Sequence, residues 1–208
     1  MTEDLIARHP RVFHVASAAS WPSIQEHGLL STAALLDLHG IEAQERDRLM
    51  RRKRDQSTQL STPGVGLAVI RDQKPLKFIS QKIDPGSSLE AFLEALSSRV
   101  FFAPTRDRLD RLLKAREYRG SQQVVLTVDT RSLVTTYERM IRLCRFNSGA
   151  CTQVNHPVRG HESWQSISRY PYDEYRRRYK GEALVEVTVL RAVPDVLKMT
   201  TRVEHIAL

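Results

Sequence analysis

The chain has 208 residues, with 32 Lys+Arg against 24 Asp+Glu and a formal net charge of +8. Hydrophobic residues at 41%, charged residues at 27%, nine glycines and nine prolines exclude a disordered acidic tail, a collagen-like repeat and a low-complexity linker. A chain of this length can bury one sizeable core, so a single domain over 1–208 is expected.

In chain order, Arg11–Ala16 (RVFHVA) follows Pro10 and reads as a strand. Ser20 is the expected N-cap of a short helix, with Pro22 in its first turn and Gly28 closing it. Ser31 or Thr32 caps a second helix, TAALLDLH, which Gly40 ends. A third helix runs from Ile41 to about Arg54. Its run Arg51-Arg52-Lys53-Arg54 reads as a solvated helix end rather than a nucleic-acid patch. Cations suit the C-terminal dipole, and Glu42, Glu45, Asp47 and Asp55 dilute the charge.

Gly66–Arg71 is the next strand, followed by a turn and an extended segment to Leu76. Ser87 and Glu90 have capping-box spacing and open the helix LEAFLEALSS. Arg99–Ala103 (RVFFA) is a strand. Thr105 caps a helix over Arg106–Arg116, with Leu109, Leu112 and Leu113 on one face. Val124–Asp129 is a strand, and Thr130 starts a helix to about Met140. Residues 144–180 are polar, aromatic and basic with little periodicity. They read as a long functional loop with short helical pieces at 164–168 and 173–178. Ala183–Leu190 (ALVEVTVL) is the clearest strand, and a short final strand lies near Arg202–Ile206.

This order predicts a mixed α+β fold with a mostly antiparallel or split sheet, not a regular βαβ series. No GxGxxG or GxxxxGK[ST] occurs, which speaks against a Rossmann or P-loop nucleotide site. No CxxC or HExxH spacing points to a metal. The N-terminal residues lack a signal-peptide pattern, and the apolar runs fall far short of a bilayer span. A cytoplasmic protein without a membrane partner is expected, with Cys144 and Cys151 as reduced thiols. The basic balance, pI ≈ 9.8, suggests an anionic partner: nucleic acid, nucleotide or another protein.

Two polar residues interrupt apolar strands. Alternation in Ala183–Leu190 puts Val185, Val187 and Val189 on one face and Leu184, Glu186, Thr188 and Leu190 on the other. An unpaired buried carboxylate is costly. Glu186 is therefore either ion-paired with an arginine or lines a cleft where ligand hydroxyls bond it. His14 in RVFHVA is either a satisfied core residue or part of the same site.

The stretch His14-Val15-Ala16-Ser17-Ala18-Ala19-Ser20-Trp21-Pro22-Ser23-Ile24, continued by His27-Gly28-Leu29-Leu30-Ser31, resembles the opening of the DarT-type ADP-ribosyltransferases. Val100-Phe101-Phe102-Ala103-Pro104-Thr105-Arg106 resembles that family's FYFxPR strand. Glu186 to Val193-Pro194, with the glutamate eight residues before the proline, resembles its final catalytic strand.

The resemblance implies an ADP-ribosyltransferase-like split β-sheet with helices around an NAD cleft. It implies an NAD-dependent ADP-ribosyltransferase with Glu186 and Arg106 as catalytic residues. His14, Ser17, Ser20, Gly28 and Phe102 would contact NAD. Asn147, Arg159 and Trp164 in the long loop would hold the acceptor, with single-stranded DNA or RNA as a candidate. A toxin role would bring an antitoxin or immunity partner. Two other readings stand beside it: an RNA 2′-phosphotransferase-like enzyme that uses NAD, and a non-catalytic basic module that binds nucleic acid.

Overall fold

A computed structural model describes residues 2–115, 120–179 and 182–207. Arg116 and Lys180, where the expected helix and loop end, lie outside the described residues.

The chain opens with α1 (Thr2–Arg8), which the sequence reading lacks. Glu3 and Asp4 at its start and Arg8 at its end match the helix dipole, and Leu5 and Ile6 anchor it in the core. β1 (Arg11–Ser17) follows, then α2 (Trp21–His27) and β2 (Leu29–Leu30). Ser20 precedes α2, but its hydroxyl does not cap the helix; it accepts from the Val69 amide at 3.0 Å. Ser31, not Thr32, caps α3 (Thr32–Leu38) through the Ala34 amide. α4 (Ala43–Arg51) is shorter at both ends than expected.

In the basic run at the end of α4, Arg51, Arg52 and Lys53 are exposed as expected, and Arg54 departs from the solvated reading. Arg54 is buried and donates to the carbonyls of Leu49 and Arg71 and to the Ser97 hydroxyl. Burial holds its guanidinium down to about 10. It ties the end of α4 to the hairpin of β3 (Thr58–Thr62) and β4 (Gly66–Ile70), of which only β4 is evident from sequence.

Ser88, one residue beyond the expected cap, accepts from the Ala91 amide and starts α5 (Leu89–Ser97). β5 (Arg99–Phe102) leads to α6 (Arg106–Leu113), which Thr105 caps as expected. β6 (Gln122–Asp129) runs into α7 (Thr130–Tyr137), capped by the Asp129 carboxylate. β7 (Ile141–Cys144) is a further strand missing from the sequence reading. α8 (Tyr172–Arg178), β8 (Glu186–Leu190), β9 (Ala192–Val193), α9 (Val196–Met199) and β10 (Thr200–Ala207) complete the chain. β8 starts at Glu186, so that carboxylate sits at the first position of its strand, not in the middle.

The fold is mixed α+β with several small antiparallel sheets. β6 lies between β1 and β10; β8 lies between β5 and β7. These two three-stranded sheets meet at a bridge between Phe13 and Ala103, with both amides bonded to the opposite carbonyls at 2.9 and 2.8 Å. Their inner faces share one core that includes Val12, Phe102, Leu126, Leu143 and Val187. The opposite face of the second sheet packs on a separate cluster with Phe92, Leu93, Cys144, Cys151 and Trp164. Both cysteines are free thiols.

Gly28 has φ +74°, and a Cβ there would stand 2.3 Å from the Pro194 carbonyl oxygen. Only glycine lets the turn after α2 lie against the turn after β9. No helix among the described residues is long and apolar enough to cross a membrane.

Candidate functional site

The seam between the two three-stranded sheets brings His14 and Glu186 near each other in the topology. Phe13 bridges Ala103, and His14 follows Phe13. Phe102 pairs with Val187, and Glu186 precedes Val187. The two residues nevertheless face opposite ways. His14 packs edge-on against Phe102, on the side of the main core. Glu186 pairs in register with Cys144, whose side chain belongs to the other cluster. A ligand that touches both must cross the seam.

Glu186 is half-buried, and Ser148 holds both its oxygens. The Ser148 amide donates to Oε1 at 2.9 Å and its hydroxyl donates to Oε2 at 2.7 Å. Burial still pushes the carboxyl up to about 7, against the lowering effect of these bonds and of the Arg108 and Arg159 charges. Among the described residues no cation makes a direct ion pair with it. A carboxylate offers about four acceptor directions, and the two Ser148 bonds use two of them.

His14 is also half-buried. Its Nδ1 lies 2.8 Å from the Phe101 carbonyl, which can only accept, so Nδ1 carries the proton. Burial lowers the ring to about 4, leaving it neutral at pH 7. Nε2 is then an acceptor facing away from that bond.

The other sequence-predicted residues are placed differently. Arg106 does not join the carboxylate. It is half-exposed, and pairs with Asp110 at 2.9 Å and Glu204 of β10 at 2.8 Å. The cations that act on Glu186 are Arg108 and Arg159. Arg108 is ion-paired with Glu182, which Arg111 also holds at 3.0 Å.

Phe102 is core, 1% exposed, and offers no face to a cofactor. Trp164 is buried, stacked on Phe92 at 5.6 Å and covered by Arg99 at 4.3 Å. Arg159 is 1% exposed and donates to the carbonyls of Pro157, Ala150 and Asn147. Both are framework of the 144–180 segment rather than an exposed acceptor surface. Asn147 is exposed, one residue before Ser148. Ser17 ends β1 without capping the turn that follows. Ser20 is buried and committed to Val69. Gly28 serves the contact with Pro194.

Sequence reasoning missed Ser148. Its signal is the turn Asn147-Ser148-Gly149, which leaves a main-chain amide and a hydroxyl free to serve one partner. Among the described residues no group of three or more His, Cys, Asp or Glu side chains is placed to hold a metal ion.

No curated protein and no solved structure matches the chain. A profile for a family of unknown function, DUF7002, matches residues 10–200, and the chain belongs to that family.

Proposed function

We propose that the protein is an NAD-dependent ADP-ribosyltransferase whose ribose-binding carboxylate is Glu186. The single observation that carries this reading is the state of that side chain. It is half-buried, free of a direct ion pair among the described residues, and anchored at both oxygens by Ser148 alone. A structural ion pair would look different. So would a solvated surface acid, which has no reason to sit near 7.

Two three-stranded antiparallel sheets joined at one seam also suit a split-sheet transferase.

NAD is the substrate. The bond between ribose C1′ and the nicotinamide nitrogen breaks, and nicotinamide leaves with the electron pair. Positive charge develops on the ribose. Ionised Glu186 stabilises it and accepts hydrogen bonds from the sugar hydroxyls. The acceptor then attacks C1′, and its proton passes to Glu186. His14 Nε2 accepts from a hydroxyl of the other ribose. Arg106 has no part in these steps. Arg108, which is ion-paired with Glu182 and acts on Glu186 only through its charge, is the cation assigned to the diphosphate in this reading.

The test is incubation of purified protein with NAD and quantification of free nicotinamide, with and without single-stranded DNA or RNA. The reading requires release above the spontaneous rate. Release stimulated by 2′-phosphorylated RNA alone would favour the phosphotransferase reading.

A further inference from the structure

A groove of about 350 Å³ opens beside β7, lined among others by Leu143, Arg145, Phe146, Tyr170, Tyr175 and Tyr179. Leu143 and Arg145 flank Cys144, and Cys144 shares the face of Glu186. Neither His14 nor Glu186 lines the groove.

Its centre is a stacked cation. The Arg145 guanidinium lies 3.9 Å from the Tyr179 ring centroid and 5.6 Å from that of Tyr175. A guanidinium held over a ring by cation–π attraction still has its N–H donors to offer a ligand. Among the described residues none of those donors meets a hydrogen-bond acceptor, and no carboxylate forms an ion pair with Arg145. The two acids on the groove wall lie against other residues than Arg145. Glu174 lies 3.8 Å from Arg178, and Glu162 lies 3.1 Å from His161. The Tyr170 hydroxyl is used by the Ala183 carbonyl. Among the described residues Arg145 is thus a groove cation with no carboxylate partner, beside the rings of Phe146, Tyr170, Tyr175 and Tyr179.

We infer that this groove binds a nucleoside phosphate, with the base against the tyrosine rings and the phosphate on the Arg145 edge. A guanidinium edge suits a phosphate bidentately. A planar base suits stacking on tyrosine and arginine. The volume falls in the range of about 300–1,000 Å³ typical of small-molecule pockets. The inference does not depend on NAD cleavage. The phosphate has two sources, a free mononucleotide or one unit of a single strand.

The test is calorimetric titration of the purified protein with AMP and, separately, with a short oligothymidylate. Wild type should bind at least one probe saturably. Arg145→Gln and Tyr179→Leu should each weaken that binding by about tenfold or more, the equivalent of about 1.4 kcal/mol. Arg52→Ala, an exposed cation that does not line the groove, should bind as wild type does. Arg145→Lys, which keeps charge but loses the planar edge, should fall between wild type and Arg145→Gln. AMP that saturates alone and displaces the oligonucleotide identifies a mononucleotide site; binding of the oligonucleotide alone identifies a strand.

Circular dichroism checks that each variant is folded. If Arg145→Gln is not, Arg145→Lys and Tyr179→Leu decide. The inference is overturned if neither probe binds saturably, if the folded groove variants bind like wild type, or if Arg52→Ala weakens binding as much as they do. The groove variants leave Glu186 and His14 unchanged, and nicotinamide release is measured apart from groove binding, so the two readings fail separately.

Discussion

Ser148 grips Glu186 twice, through its amide at 2.9 Å and its hydroxyl at 2.7 Å. Both bonds favour the ionised carboxylate, while burial opposes it more strongly. Ser148→Ala removes the hydroxyl and keeps the amide. The carboxyl should then titrate above its present value of about 7. If ionised Glu186 performs the reaction, the rising limb of nicotinamide release against pH should move to higher pH in the variant. An unmoved limb would mean that another group sets it.

Glu186 and His14 should also leave opposite marks on stability. Native Glu186 titrates near 7 against an ordinary 4.5, so it keeps a proton that the unfolded chain has lost. Its contribution is present at low pH and is lost as pH rises through about 7. Native His14 titrates near 4 against 6.5, so it lacks a proton that the unfolded chain holds. Its contribution is present above 6.5 and is lost as pH falls through about 4.

Between these limits the two effects cancel in wild type. Relative to wild type, Glu186→Gln should gain stability with rising pH by up to about 1.4 kcal/mol per unit between roughly pH 5 and 6. His14→Gln should change by a similar amount in the opposite sense. Urea unfolding at several pH values checks both slopes. Parallel curves for all three proteins would contradict the assigned shifts.

Arg52 and Arg54 come from one basic run but should respond differently. Arg54 is buried against two carbonyls and a hydroxyl. Arg54→Ala should cost roughly 2–4 kcal/mol, because it strands buried acceptors. Arg52 is exposed, with Asp47 at 3.9 Å, so Arg52→Ala should cost less than about 0.5 kcal/mol. Denaturant midpoints separate the two. Equal, small losses would show that the Arg54 contacts do not stabilise the fold.

Arg106→Ala tests where the reacting arginine is not. Its partners Asp110 and Glu204 are outside the Glu186 site. The variant should keep KM for NAD and nicotinamide release within about twofold of wild type and lose at most about 1 kcal/mol of stability. A large rise in KM would return Arg106 to the site.

Much of the fold is legible in local chemistry. Thr105, Ser31 and Gly28 act at helix ends because cap and turn preferences are short-range. β6 and β8 announce themselves by apolar runs. β3 and β7 do not. Thr58–Thr62 is mostly polar, and Ile141–Cys144 is four residues long; both depend on a partner strand for their conformation. The same limit applies to the site. Glu186 and His14 stand out as polar interruptions of apolar strands. Ser148 becomes a partner only once residues 38 apart in sequence meet. Arg106 and Arg108 lie two residues apart on α6, and only tertiary contacts decide which of them acts on Glu186. Trp164 and Arg159, polar and aromatic in a loop-like segment, are inside because that segment covers the second cluster.

The most direct measurement is nicotinamide release from NAD at pH 8 by wild type and Glu186→Gln, with matched circular dichroism. Loss of the carboxylate charge should lower the rate by at least about a hundredfold while the fold persists. A folded Glu186→Gln protein that releases nicotinamide as fast as wild type would contradict the account.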